Sequence, residues 1–203
     1  MNLDYTDVTL LVDRSGSMVS CWPDAVGGVQ AFIEEQQKTP GNMTFTLSVF
    51  DGVRDSVLDA VDIHSVKAAE LKIPGPRGGT ALLDAMGGLM NDTGARLAAM
   101  AEEDRPGRVI FAVITDGEEN QSTEFTNQQI TDMIAEQREK YSWQIAFLSS
   151  DIKAVDHAMH LGITNTANKS IGASLATYSR SVSRSRASSY VDFTANKNSL
   201  LVP

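Results

Sequence analysis

Val8-Thr9-Leu10-Leu11-Val12-Asp13-Arg14-Ser15-Gly16-Ser17 begins as a run that is apolar but for Thr9 and ends in an acidic, serine-rich turn. A strand with one wet face alternates apolar and polar residues, whereas a parallel strand covered by helices on both faces is apolar throughout. Val8–Val12 has the second pattern. The polar turn stands at the carboxyl end of this strand, where open α/β sheets bind their ligands. One stretch therefore predicts both the architecture and the place of function.

Working outward, strand-like runs alternate with helix-like ones, the signature of a parallel α/β sheet. Ala25–Gln37 reads as a helix, with Val26, Val29, Phe32 and Ile33 on one face, and Pro40-Gly41 ends it. Met43–Phe50 and Val53–Leu58 flank Asp51-Gly52, a hairpin signal that predicts one antiparallel edge strand. The turn-rich Ile73–Thr80 loop feeds a helix over 81–100. Val109–Ile114 is the clearest buried strand, Asn127–Lys140 a helix, Trp143–Leu148 a strand, and Ile152–Leu161 a helix closed by Gly162. Ile171, Leu175, Tyr178 and Val182 recur at helical spacing, and an irregular tail is expected beyond Ser188. The division expected is a domain over residues 1–165 followed by an amphipathic helix and tail over 166–203.

Composition narrows the function. A chain of 203 residues, 42% hydrophobic and 21% charged, can bury a full core without disulfides. The net charge of -9 disfavours nucleic acid as a partner, because such a surface repels phosphates. Three arginines in Tyr178–Arg186, with no interleaved aromatics, do not reverse that. No run approaches the roughly 20 apolar residues that span a bilayer. The single cysteine, Cys21, suits a reducing compartment, and the start carries no basic, apolar leader. A cytoplasmic protein is expected. His157 and His160 share a helix face without further ligands and read as surface or packing residues.

Three segments bring oxygen donors to matching places. Asp13, Ser15 and Ser17 follow the first strand, Thr80 opens a helix after Gly78-Gly79, and Asp116 follows the strongest buried strand within Thr115-Asp116-Gly117. In a doubly wound sheet all three reach one crevice. Oxygen donors select hard cations, Mg²⁺ first, with Mn²⁺ or Ca²⁺ as alternatives. Only two carboxylates offset the ion's charge, so it stays electrophilic and open to a carboxylate from outside. Taken alone, Asp13–Ser17 also suits a polar helix cap. Glu118, Glu119 and Asn120 read as a solvated rim ahead of residues that support the site from behind or tune partner choice, and Asp51 as a turn residue ahead of one that approaches the crevice.

Asp13-x-Ser15-x-Ser17, Gly79-Thr80 and Thr115-Asp116-Gly117, in that order, resemble the metal-ion-dependent adhesion site of von Willebrand factor A (VWA) domains over about Asp7–Gly162. The resemblance implies an α/β, Rossmann-like, doubly wound and mostly parallel six-stranded sheet, with one antiparallel edge strand and helices on both faces. It implies that Asp13, Ser15, Ser17 and Thr80 contact the metal, with Asp116 acting through water. Thr115–Asn120 is most similar to small intracellular bacterial and phage members. Some of these work beside MoxR-type AAA+ ATPases, which makes such an ATPase a candidate partner.

The leading expectation is a non-catalytic, metal-dependent binding module whose protein partner supplies Asp or Glu. Two alternatives stay open: a phage or bacterial assembly protein, and a Mg²⁺-dependent hydrolase with Asp13 as nucleophile. Against the hydrolase, Ser15 stands where aspartyl-phosphate enzymes carry a second Asp, and no lysine lies in the three segments.

Overall fold

A computed structural model of the chain describes the backbone of residues 1–199 and the side chains of residues 1–188. Its elements, in chain order, are β1 (Asn2–Asp13), α1 (Trp22–Gln37), β2 (Asn42–Phe50), β3 (Arg54–Asp62), α2 (Leu82–Ala98), β4 (Pro106–Ile114), α3 (Asn127–Tyr141), β5 (Gln144–Ser149), α4 (Ile152–His160), β6 (Asn165–Asn168) and α5 (Ile171–Ser199). The strands form one six-stranded sheet in the order β3-β2-β1-β4-β5-β6. Only the β2–β3 pair is antiparallel, at the edge. This is the Rossmann-like, doubly wound arrangement expected. The strand order reverses between β1 and β4, so the crevice lies where Asp13 and Thr115 leave the sheet.

Pleating sends alternate residues of β1 to opposite faces. Val8, Leu10 and Val12 join one core with Val29, Phe32 and Ile33 of α1 and Ile171, Leu175 and Val182 of α5. Leu11 joins the other, with Leu82, Met86, Leu89 and Met90 of α2, Ile130 and Ile134 of α3, and Ala154 and Ala158 of α4. Both faces of the central strands are thus covered, which explains their continuous apolar sequence.

The second face also buries a charge pair. Asp7 on β1 is fully buried and accepts two hydrogen bonds, at 2.9 and 3.0 Å, from the fork of Arg96 near the end of α2. Burial pushes the Asp7 carboxyl above its ordinary range, and the Arg96 bonds and charge only partly offset this.

Helix ends follow the local sequence. Thr126 and Gln129 form a capping box at α3, and Asp151 caps α4 through the amide of Lys153. The β2–β3 hairpin is longer than the sequence suggests: β3 runs to Asp62 through irregular register, with Ala60 at φ 47°.

α5 runs beside α1 in the same direction. Asp24 accepts from the amide of Gly172, Gln36 donates to Ser179 and Ser183, and Arg186 donates to the carbonyls of Gln36 and Gly41. Gly28 lets the helices close in, since a Cβ there would lie 2.8 Å from Cδ1 of Leu175. The irregular tail expected beyond Ser188 is corrected in part: the helix continues to Ser199. Nothing punctuates it, because no Gly or Pro stands between Gly172 and Pro203. The last part of that tail, residues 200–203, lies outside the described residues.

Candidate functional site

β1 delivers Asp13 to the crevice fully buried. Its Oδ1 accepts from the amide of Ser15 at 2.6 Å, and its Oδ2 accepts from the Thr115 hydroxyl at 2.5 Å. The turn then places the Ser15 and Ser17 hydroxyls 3.0 Å apart. Thr80 arrives from the second loop, which is stitched to the first by Gly16 N–H to the Gly78 carbonyl at 3.0 Å and Arg77 N–H to the Arg14 carbonyl at 2.7 Å. Gly78 has φ +66°, a left-handed conformation that favours glycine.

Gly117 fixes where these groups meet. A Cβ built on it would lie 3.0 Å from Oγ of Ser17, 3.2 Å from Oδ2 of Asp13 and 3.2 Å from Oγ1 of Thr80. Three oxygens from two separate loops therefore surround one small volume, kept open because residue 117 has no side chain. Ser15 reaches the same cluster through Ser17. Asp116 lies close enough for its charge to act on Asp13, and its own oxygens are held by the Ser150 hydroxyl and, at 3.7 Å, by the Cys21 thiol. All five residues singled out from the sequence are brought to one place.

The electrostatics are unfavourable as they stand. Burial raises the Asp13 carboxyl above its usual range, the hydrogen bonds from Thr115 and Ser15 pull it back, and the Asp116 charge raises it again. The nearest cation in sequence is diverted: Arg14 forms ion pairs with Asp51, at 3.1 Å, and with Asp55 instead. Among the described residues, neither Asp13 nor Asp116 has an ion-pair partner. Burial and the Asp116 charge also push the Cys21 thiol up to about 11, so it stays protonated.

Several residues that position the site were not assigned that role from the sequence. Thr115 orients Asp13, and its hydroxyl also accepts from the Gly117 amide at 3.0 Å. Asn120 accepts from the Thr80 amide at 3.0 Å, and Glu119 accepts from the Leu83 amide at 2.9 Å; neither is merely a rim residue. Asp51 is a turn residue, accepting from the Val53 amide at 2.9 Å, but it also takes Arg77 at 2.6 Å and Arg14. Burial alone would raise its carboxyl; the Arg77 and Val53 bonds and the Arg14 charge outweigh this and lower it. His157 pairs with Asn127 and His160 with the Asp156 carbonyl, away from the crevice.

The donor set is one of hydroxyls plus two carboxylates. Among the described residues no group of three or more His, Cys, Asp or Glu side chains is placed to hold a metal. The convergence around Gly117 is instead of the hard, mostly neutral oxygen kind.

Comparison with solved structures bears on the fold. The chain matches the manganese-loaded TRAP protein of Plasmodium vivax at TM-score 0.60 and 16% identity, covering 87% of this chain and 72% of that one. The chain has the von Willebrand factor A fold. The vWF domain of the pilus tip protein Mfa5 from Porphyromonas gingivalis matches at TM-score 0.62 and 11% identity, covering 87% and 94%. Proximal thread matrix protein 1 of the mussel byssus, with a zinc-occupied MIDAS motif, matches at TM-score 0.60 and 16% identity, covering 88% of this chain and 45% of that one. The present chain thus spans less than half of that protein. At these identities the VWA likeness is one of fold. No protein-family model and no curated protein sequence matches the chain.

Proposed function

We propose that this VWA fold is a metal-dependent protein-binding module. Asp13, Ser15, Ser17 and Thr80 hold a divalent cation, Mg²⁺ in the cell, with Asp116 linked through water, and a partner's Asp or Glu completes the coordination. The observation that carries this reading is the cradle opposite Gly117, where oxygens of Asp13, Ser17 and Thr80 face a point that a single methyl group would fill. A cation there relieves the repulsion between two carboxylates that Arg14 leaves uncompensated. Neutral hydroxyl donors leave most of the ion's charge to attract an incoming anion.

A binding role is favoured over hydrolysis because both oxygens of Asp13 are engaged by Thr115 and Ser15, which suits an oriented ligand better than a free nucleophile. The resemblance of Thr115–Asn120 to small intracellular members makes a MoxR-type AAA+ ATPase the first partner to test. The cytoplasmic assignment rests on the single, free Cys21; among the described residues no helix is long and apolar enough to cross a membrane.

The test is affinity capture on the immobilised chain in Mg²⁺, in EDTA, and with Asp13→Ala. Partners held in Mg²⁺ and lost in both other conditions are expected. A partner that remains bound in EDTA and to Asp13→Ala would contradict the proposal.

A further inference from the structure

The two loops that carry Thr80 and Asp116 are far apart in sequence, and a metal site shared between them is only as good as their relative placement. Helix α2 follows Thr80 directly, yet Ala81 at its cap position supplies no side-chain acceptor. The first N–H groups of a helix need partners from elsewhere. Here they come from the loop after Asp116. The Leu83 amide donates to Oε2 of Glu119 at 2.9 Å, and the Asp84 amide donates to the Ser122 hydroxyl at 3.1 Å.

The Glu119 carboxylate does more than cap. Its Oε1 accepts from the amides of Gln121 at 2.9 Å and Ser122 at 2.8 Å, and its Oε2 also accepts from the Ser122 hydroxyl at 2.7 Å. Four donors from two segments thus converge on one carboxylate, at the positive end of a helix where an anion is favoured. Three flanking hydrogen bonds at Thr80 bind the same segments together. The Thr80 amide donates to Asn120, and the Thr80 carbonyl accepts from the amides of Asn120 and Gln121 at 3.0 and 3.2 Å. Asp84 of α2 returns the favour, accepting from the amides of Thr123, Glu124 and Phe125.

We propose that Glu119 is the positioning residue of the site: by capping α2 from the Asp116 loop it fixes Thr80 opposite Asp13 and Gly117. This rests on the metal reading above and adds to it the residue on which the ion's affinity depends without touching the ion. Glu119→Gln keeps the shape but turns hydrogens toward two of the four donors. It should fall between wild type and Glu119→Ala.

The experiment uses the full chain and Mn²⁺ alone as the probe, followed by water-proton relaxation, together with amide hydrogen exchange of the metal-free protein. Glu119→Ala is expected to weaken Mn²⁺ binding about tenfold or more, and to speed exchange at Thr80 and Leu83 at least tenfold, while β4 amides are unchanged. Leu175→Ala, which opens a cavity between α1 and α5, is the control. It should lower the melting temperature and leave Mn²⁺ affinity as in wild type, so general destabilisation is told apart from positioning. Wild-type affinity in Glu119→Ala, or unchanged exchange at Thr80 and Leu83, overturns the proposal. If the wild-type chain itself takes up no Mn²⁺, the metal reading falls, and the exchange rates alone decide: faster exchange upholds the placement of Thr80 by Glu119, unchanged exchange overturns it.

Discussion

Replacing Arg96 with Met removes the one ion-pair partner that the fully buried Asp7 carboxylate has among the described residues. Asp7 is left inside the sheet–α2 interface, and breaking a buried pair from one side costs about 3–5 kcal/mol. Arg96 is 27% exposed on its side chain, so water reaches the guanidinium end and the lower figure, about 3 kcal/mol, applies. For a chain of this length each kcal/mol moves the melting temperature by about 2–4 °C, which gives a drop of about 6–12 °C at pH 7. The sign of the pH dependence is fixed. Burial already raises the folded Asp7 carboxyl, and losing Arg96 raises it further. A folded state that holds its proton more tightly than the unfolded state loses stability as pH rises above the unfolded value of about 3.9. The deficit of Arg96→Met is therefore larger at pH 7 than at pH 4 and shrinks as the pH falls toward 4. Thermal melts followed by circular dichroism at both pH values measure it. Asp7→Val combined with Arg96→Met should recover most of the loss, because both charges are then gone. An equal deficit at pH 7 and pH 4, or no recovery in the double variant, would refute the reasoning.

Gly117→Ala places a methyl group 3.0–3.2 Å from the oxygens of Ser17, Asp13 and Thr80; it should cost about 1–3 kcal/mol of stability, as overpacking does, yet abolish Mn²⁺ uptake in an equilibrium titration. The Tyr178 hydroxyl is buried without a hydrogen-bond partner among the described residues. Tyr178→Phe is therefore expected to stabilise the protein by about 1 kcal/mol in urea unfolding, and a loss of stability would show that the hydroxyl is satisfied.

Much of the fold was legible because its signals are local. Val8–Val12 and Val109–Ile114 are apolar on both faces, Asp51-Gly52 marks the hairpin, and Gly-rich loops separate strands from helices. β6, Asn165-Thr166-Ala167-Asn168, was not placed, since its four residues carry neither alternation nor an apolar run and exist as a strand only through pairing with β5. The continuation of α5 was missed because Ser- and Asn-rich composition suggests a tail, although nothing in it stops a helix. At the site, residue types and their order gave Asp13, Ser15, Ser17, Thr80 and Asp116. Glu119, Asn120 and Thr115 act by bonding segments that the sequence keeps far apart, Glu119 to Leu83 across 36 positions and Thr115 to Asp13 across 102. No periodicity reports such pairings. The one available hint was that Ala81, at the start of α2, is a poor cap, which leaves its amides in need of an acceptor from elsewhere.

The central claim is that the oxygens around Gly117 hold a divalent cation. Titration of the metal-free chain with Mn²⁺, read by water-proton relaxation, tests it most directly when run beside Asp13→Ala and Thr80→Ala with their folds verified by circular dichroism. One bound ion per wild-type chain, with binding lost in Asp13→Ala and weakened in Thr80→Ala, is the predicted result. No uptake by the wild-type chain, or uptake unchanged in folded Asp13→Ala, would contradict it.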